Sequence, residues 1–159
     1  MPRKTTASLQ RVLSPDRRYQ SVMVQRLINK SMIHGKKLVA EKAVYTALET
    51  AAKKLDSENP LEVFERALKN ISPNFEVKSR RVGGANYQIP FPVAGHRQLH
   101  YSFSWLVQAA RGRKGIPYSQ RLALEIVDAY NETGAAFKKK EDTHKMAEAN
   151  RAFAHFARS

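Results

Sequence analysis

A glycine pair, Gly83-Gly84, separates two strand-like runs in a chain whose other apolar residues follow a helical period, and no other feature restricts the fold as strongly. Residues 75–82 and 87–92 read as the two arms of a hairpin, with the glycines supplying the positive φ angles that a tight turn demands. Three of the five residues leading into the turn are cationic: Lys78, Arg80 and Arg81. A core strand would carry valine or isoleucine there, so the arm is expected to project. A lone two-stranded ribbon is marginal in water, and the rest of the chain must hold its far side. Arginine's planar fork suits phosphate oxygens, and a ribbon of this width fits a nucleic-acid groove. The plainer alternative is an edge hairpin whose charges only deter aggregation.

Charge argues for the first reading. Lysine and arginine number 28 against 14 aspartate and glutamate, a net charge of +14, which points to a polyanionic partner. The excess is blocked: +8 over residues 1–37, −1 over 38–73, +6 over 74–115, −2 over 116–136 and +3 over 137–159. Three basic faces meeting on one side would form a footprint. At 159 residues the chain can make one domain that buries roughly 70% of its unfolded surface without a staple. There is no cysteine, which removes disulfides and thiolate metal sites. No apolar run approaches the length of a bilayer span, and no signal-peptide hydrophobic region is visible.

The expected architecture is mainly α: a six-helix single domain over residues 15–159, one protruding two-stranded β-hairpin at about 74–92, and a flexible basic arm over 1–14. A first helix is expected to start at Ser14-Pro15-Asp16, with Tyr19, Val22, Met23, Leu27 and Ile28 on one face and Arg26 and Lys30 four apart beside it. A second spans about 37–55. Asn59-Pro60 then marks a strong helix start, with Asn59 as cap, Pro60 at the first helical position and Glu62 completing an approximate capping box. Leu99, Phe103, Leu106, Val107 and Ala110 mark a fourth helix, with Trp105 off the stripe. Ser119 is expected to cap a fifth that stops at Gly134, and Asp142 to cap a sixth that turns Met146, Ala149, Phe153 and Phe156 inward.

Catalytic patterns do not assemble. His96 and His100 have a metal-compatible spacing, yet no carboxylate lies nearby in the predicted helix to complete a site. Gly35-Lys36 lacks the earlier glycine of a phosphate-binding loop, and nucleophile elbows and paired carboxylates are missing. An enzyme is not expected, nor a cofactor. Aromatic residues interleave the basic blocks; Tyr87 and Tyr118 are the two expected to be exposed for stacking on unpaired bases. A helix-turn-helix reader of duplex DNA and a basic nuclease are the rival classes. The first expects its charge on a recognition helix, the second a general base or metal.

The run from Lys78 to Pro90, Lys-Ser-Arg-Arg-Val-Gly-Gly-Ala-Asn-Tyr-Gln-Ile-Pro, closely resembles the hairpin motif of the small ribosomal subunit protein seven family. The likeness continues in Ile28-Asn29-Lys30 through Gly35-Lys36-Lys37, in Trp105-Leu106-Val107-Gln108-Ala109-Ala110-Arg111 and in Arg121-Leu122-Ala123 with Glu125. It is densest from Gly134 to His155, around Phe137-Lys138-Lys139-Lys140-Glu141-Asp142. The resemblance implies binding to the 3′ major domain of small-subunit ribosomal RNA, nucleation of head assembly, and a hairpin and C-terminal helix near the exit-site tRNA and messenger path. It implies proteins nine, eleven, thirteen and nineteen as neighbours, and a bacterial cytoplasmic ribosome or, alternatively, an organellar one.

Position by position, the resemblance implies ribosomal RNA contacts from Arg3, Lys4, Arg11, Lys30, Lys36, Lys37, Lys78, Arg80, Arg81, Arg111, Arg113, Lys114, Lys138, Lys139 and Lys140. It makes Gly83 and Gly84 the turn, and sets Arg81, Tyr87, Arg151 and His155 near tRNA and messenger. Two stretches depart from the family pattern. Val93-Ala94-Gly95-His96-Arg97 is poorer in arginine than the family usually is, and the chain ends in Phe156-Ala157-Arg158-Ser159 where many relatives end in tyrosine, arginine and tryptophan.

Overall fold

Apolar residues recurring every three or four positions become the inward faces of six α-helices in the structure, a computed structural model that describes residues 12–157. These are α1 (Val22–Ser31), α2 (Lys37–Lys54), α3 (Pro60–Ile71), α4 (Gly95–Gly112), α5 (Tyr118–Tyr130) and α6 (Gly134–Ala149). Between α3 and α4 lies an antiparallel hairpin of β1 (Phe75–Val82) and β2 (Ala85–Pro92), and a 3₁₀ helix, Arg151–Ala157, follows α6. The mainly helical fold with one hairpin agrees with the sequence. Most of the arm expected over residues 1–14 lies outside the described residues.

Helix α5 is the hub, packed on α2, α3, α4 and α6. Its Leu122, Ala123, Ile126 and Ala129 are buried, and small Ala40, Ala47 and Ala51 on α2 leave room for helices to approach. Phe64, Leu68 and Ile71 bring α3 into the same core, where each large apolar side chain contributes roughly 1.5–3 kcal/mol by leaving water. Asn59 caps α3 as expected: its Oδ1 accepts the Leu61 N–H at 3.1 Å, with Pro60 at the first turn.

Three helix starts differ from the sequence expectation. The first helix begins at Val22, because Asp16 is buried and organises a turn instead of a cap. Its carboxylate accepts N–H groups of Arg18, Tyr19 and Ser21 at 2.8–2.9 Å and the Tyr45 hydroxyl at 3.1 Å. Burial raises its pKa, but these bonds outweigh burial and hold it below the usual carboxylate value. Helix α5 starts at Tyr118, so Ser119 lies inside the first turn and Pro117 at the cap position.

The third difference is the largest. Gly134 does not stop the fifth helix; it opens α6, eight residues before Asp142, so Lys138, Lys139 and Lys140 lie on the helix. The cap comes from α5, where Glu125 Oε1 accepts the Ala136 N–H at 2.9 Å. Gly134 has φ of +87°, and a Cβ there would meet Asp128 Cβ at 2.8 Å, so glycine alone allows this approach. Met146, expected inward, is 48% exposed, and Ala149 is exposed too; Ala136 and Ala147 are the buried residues of α6.

The hairpin pairs Phe75 with Pro92 through Val82 with Ala85, leaving Gly83 (φ +58°) and Gly84 (φ +91°) as a two-residue turn. Its return strand starts at Ala85, two residues earlier than the sequence suggested. Two anchors keep the ribbon from standing alone. At its base, buried Glu76 accepts from Lys78 Nζ at 2.9 Å, from Arg97 at 2.7 Å and from the Tyr101 hydroxyl, while Tyr101 stacks on Trp105 at 5.4 Å. Near its tip, the Tyr87 ring packs against Phe153 and Phe156, at 5.1 and 5.4 Å, and Arg80 donates to the Phe156 carbonyl at 3.0 Å.

Candidate nucleic-acid interface

Strand alternation decides which hairpin cations face solvent. Lys78 and Arg80 share a face with Glu76, Tyr87 and buried Ile89, and both are engaged: Lys78 with Glu76 and the Phe91 ring, Arg80 with the Phe156 carbonyl. Arg81 lies on the opposite face with Ser79, Asn86 and Gln88, all exposed. Arg81 is therefore the hairpin arginine directed to solvent, whereas Arg80 also serves as a strut. Tyr87 is half-buried against the 3₁₀ helix, contrary to the expected free stacking face. The reason is tertiary: Phe153 and Phe156 fold back onto it.

A second basic group gathers beside α1. Lys36 from the α1–α2 loop, Arg111 from the end of α4 and Arg121 from α5 line one cleft with His34. Arg111 reaches the Ser31 carbonyl at 3.3 Å, and Tyr118 donates to Ser31 Oγ at 2.8 Å. Burial pushes the Tyr118 hydroxyl above its ordinary pKa, so this ring too is packed rather than exposed as expected. Lys30 and Arg26 border a neighbouring depression with His96 and His100, and Lys37 another with Arg17 and Glu41. Segments far apart in sequence thus place cations around α1.

Helix α6 carries the third group. Lys138 and Lys139 are exposed, while Lys140 is drawn to the Asn70 carbonyl at 2.7 Å and to the Phe137 ring. Lys139 borders a depression under the hairpin with Tyr101 and Trp105. Arg151 is 80% exposed beside Glu148 at 3.3 Å, and exposed His155 lies with Nδ1 2.8 Å from the Ala152 carbonyl.

Arg113 is engaged within the fold. Its guanidinium turns inward, with Nε and a terminal nitrogen donating to Glu125 at 2.9 and 2.6 Å and a further bond to Asp128. Burial alone would lower its pKa, but the two carboxylates raise it above the ordinary arginine value. A cation so neutralised braces the α4–α5 connection, whereas neighbouring Lys114 stays exposed. Arg3, Lys4 and Arg11 lie outside the described residues. Sequence reasoning missed Arg17 and Arg121. For the groups around α1 the resemblance implied Lys30, Lys36, Lys37 and Arg111, and the four-residue spacing set Arg26 beside Lys30; Arg121 lay in a run that matches the family but was given no contact, because two other segments make its surroundings.

Arginine and lysine in these positions can neutralise phosphates, and the exposed polar face of the ribbon can lie along a backbone. Among the described residues, no cluster of three or more histidines and carboxylates is placed to hold a metal, and no helix is long and apolar enough to cross a membrane.

Comparison with known proteins agrees in one direction. The profile of the family described as Ribosomal protein S7p/S5e matches residues 2–151. Small ribosomal subunit protein uS7 of Chloroflexus aggregans is 53% identical over 158 residues, covering 99% of each chain. The uS7 proteins of Thermomicrobium roseum and Dictyoglomus thermophilum are each 52% identical over 156 residues, 98% of this chain and 99% of theirs.

Proposed function

Because the chain belongs to the Ribosomal protein S7p/S5e family, a non-enzymatic family of ribosomal proteins, we propose that it works as a structural component of the small subunit in a bacterial cytoplasmic ribosome. Within that role, residues 15–159 act as one domain that binds the 3′ major domain of small-subunit ribosomal RNA and nucleates head assembly. The hairpin and C-terminal segment lie near exit-site tRNA and messenger, with Arg81, Tyr87, Arg151 and His155 on that side. Proteins nine, eleven, thirteen and nineteen are neighbours.

The observation that carries this reading is the gathering of Lys36, Arg111 and Arg121 in one cleft at the end of α1, the helix that also carries Arg26 and Lys30. Three cations from segments with no sequence proximity repel one another where they converge, a cost that the packing of these segments must meet in the free protein. A bound polyanion offsets that repulsion. Lys138, Lys139, Lys114, Lys37 and Arg81 are further exposed cations on the helices and the hairpin.

The test is nuclease footprinting on naked small-subunit RNA combined with a salt titration. If about six to eight phosphates are neutralised, log affinity falls with log salt at a slope of roughly −4 to −7. Arg81→Ala is expected to reduce that slope by about 1 with the footprint unchanged. A slope near zero, or a preference for random duplex DNA over the RNA junction, would overturn the assignment.

A further inference from the structure

The cleft that Lys36, Arg111 and Arg121 share has a floor that phosphate neutralisation does not explain. It measures about 380 Å³, and its interior is apolar: Ile33 and Val39 are 53% and 65% exposed in and beside it, with Ala40 and Ala43 beneath. Among the described residues that line it, none is acidic. Leaving two large aliphatic side chains open to water costs free energy in the uncomplexed protein, and a purely electrostatic surface has no use for them.

Arg121 adds a second observation. One terminal nitrogen donates to the Arg113 carbonyl at 2.6 Å and is 3.4 Å from the Arg111 carbonyl, which fixes the guanidinium. Its Nε is buried and has no partner among the described residues. A buried donor left unmet is costly, and the hydrogen bonds that fix this guanidinium use only one of its two terminal nitrogens. The side chain is thus held in advance, with donor capacity unused, beside an apolar seat.

We propose that this cleft receives one unpaired nucleotide of the bound RNA, with its base on the Val39–Ala43 floor and its phosphate met by Lys36, Arg111 and Arg121. The inference rests on the RNA-binding reading above and makes it specific to one pocket. The volume lies within the roughly 300–1,000 Å³ that takes a single small group. A nucleotide joins a flat, largely apolar face to an anion, matching floor and rim together. Proteins that read RNA by sequence do so largely at unpaired nucleotides, whose extrusion costs less than opening a duplex. An acidic peptide would satisfy the rim but leave the floor without a planar partner.

The test uses the full chain, adenosine monophosphate as a free probe, and a transcript of the 3′ major domain. Adenosine monophosphate should shift the backbone NMR signals of Val39 and Ala43, whereas inorganic phosphate should shift those of the rim alone. Ala43→Phe fills the floor without changing charge, and should abolish the nucleotide shifts and weaken RNA binding by about tenfold, the loss of one seated base. Val39→Lys, at an exposed position that the fold tolerates, separates the two mechanisms. A seat for a base predicts weaker RNA binding despite the added cation, and simple phosphate attraction predicts tighter binding. Unchanged or tighter binding by Val39→Lys overturns the proposal, as does a tetraglutamate peptide that shifts Val39 and Ala43 more strongly than the nucleotide. If wild-type binding shows no salt dependence, the RNA reading itself fails; if the salt slope stands and both variants bind as wild type, only the pocket fails.

Discussion

Glu125→Gln changes one oxygen to an amide nitrogen at the most enclosed carboxylate among the described residues, and its cost follows from the contacts. Glu125 is fully buried; one oxygen takes two bonds from Arg113, at 2.9 and 2.6 Å, and the other takes the Ala136 N–H at 2.9 Å. Glutamine fills the same volume but has one acceptor oxygen. If that oxygen keeps Arg113, the new NH₂ points at the Ala136 N–H, leaving a buried amide unmet at about 1–3 kcal/mol. The arginine also loses half of its countercharge. Because the Arg113 side chain is 31% exposed and retains Asp128, the total belongs near the lower end of the range for a broken buried pair, about 3 kcal/mol. For a protein of this size that lowers Tm by about 6–12 °C. Urea unfolding followed by circular dichroism should show the midpoint falling by roughly 1–3 M with little change in slope. Hydrogen exchange at the Ala136 amide should accelerate more than at the α2 core. If the variant stays within about 0.5 kcal/mol of wild type and Ala136 exchanges unchanged, Glu125 does not hold the start of α6.

Gly134→Ala tests the same junction from the other side. An alanine at φ +87°, with Cβ 2.8 Å from Asp128 Cβ, should cost about 2 kcal/mol or more in a thermal melt, and an unchanged Tm would show that α6 shifts freely. Acid should weaken the hairpin base. Burial raises the Glu76 pKa, but bonds from Tyr101, Lys78 and Arg97 outweigh it and hold the carboxyl at about 2 against 4.5 in the unfolded chain. A depressed folded pKa stabilises above the unfolded value, and that contribution disappears as pH falls from about 5 toward 2. The urea midpoint of wild type should therefore drop more between pH 5.5 and pH 3 than that of Glu76→Gln; equal drops would sink the assignment.

Local chemistry explains what was legible in the chain. Gly83 and Gly84 announce a turn because positive φ is a property of the residue itself, and Asn59-Pro60 announces a helix start because cap and first turn are adjacent in sequence. Phe64, Leu68 and Ile71 declare an inward face through spacing alone. Asp16 misled for an instructive reason. Its type and place fit a helix cap, yet three backbone N–H groups and the Tyr45 hydroxyl, 29 residues away, make it the centre of a turn.

Composition, period and turn chemistry by themselves determined a basic helical protein with one charged hairpin. Tertiary structure alone decided which cations are free to act. Arg113 is withdrawn by Glu125 and Asp128, Lys140 by Asn70, and Arg121 is brought to Lys36 and Arg111 by helices that meet only after folding. The physical reason is range. Turns, caps and helical faces depend on neighbours within about four residues, whereas the availability of a charge depends on whatever carboxylate, carbonyl or ring the rest of the chain sets within a few ångströms of it.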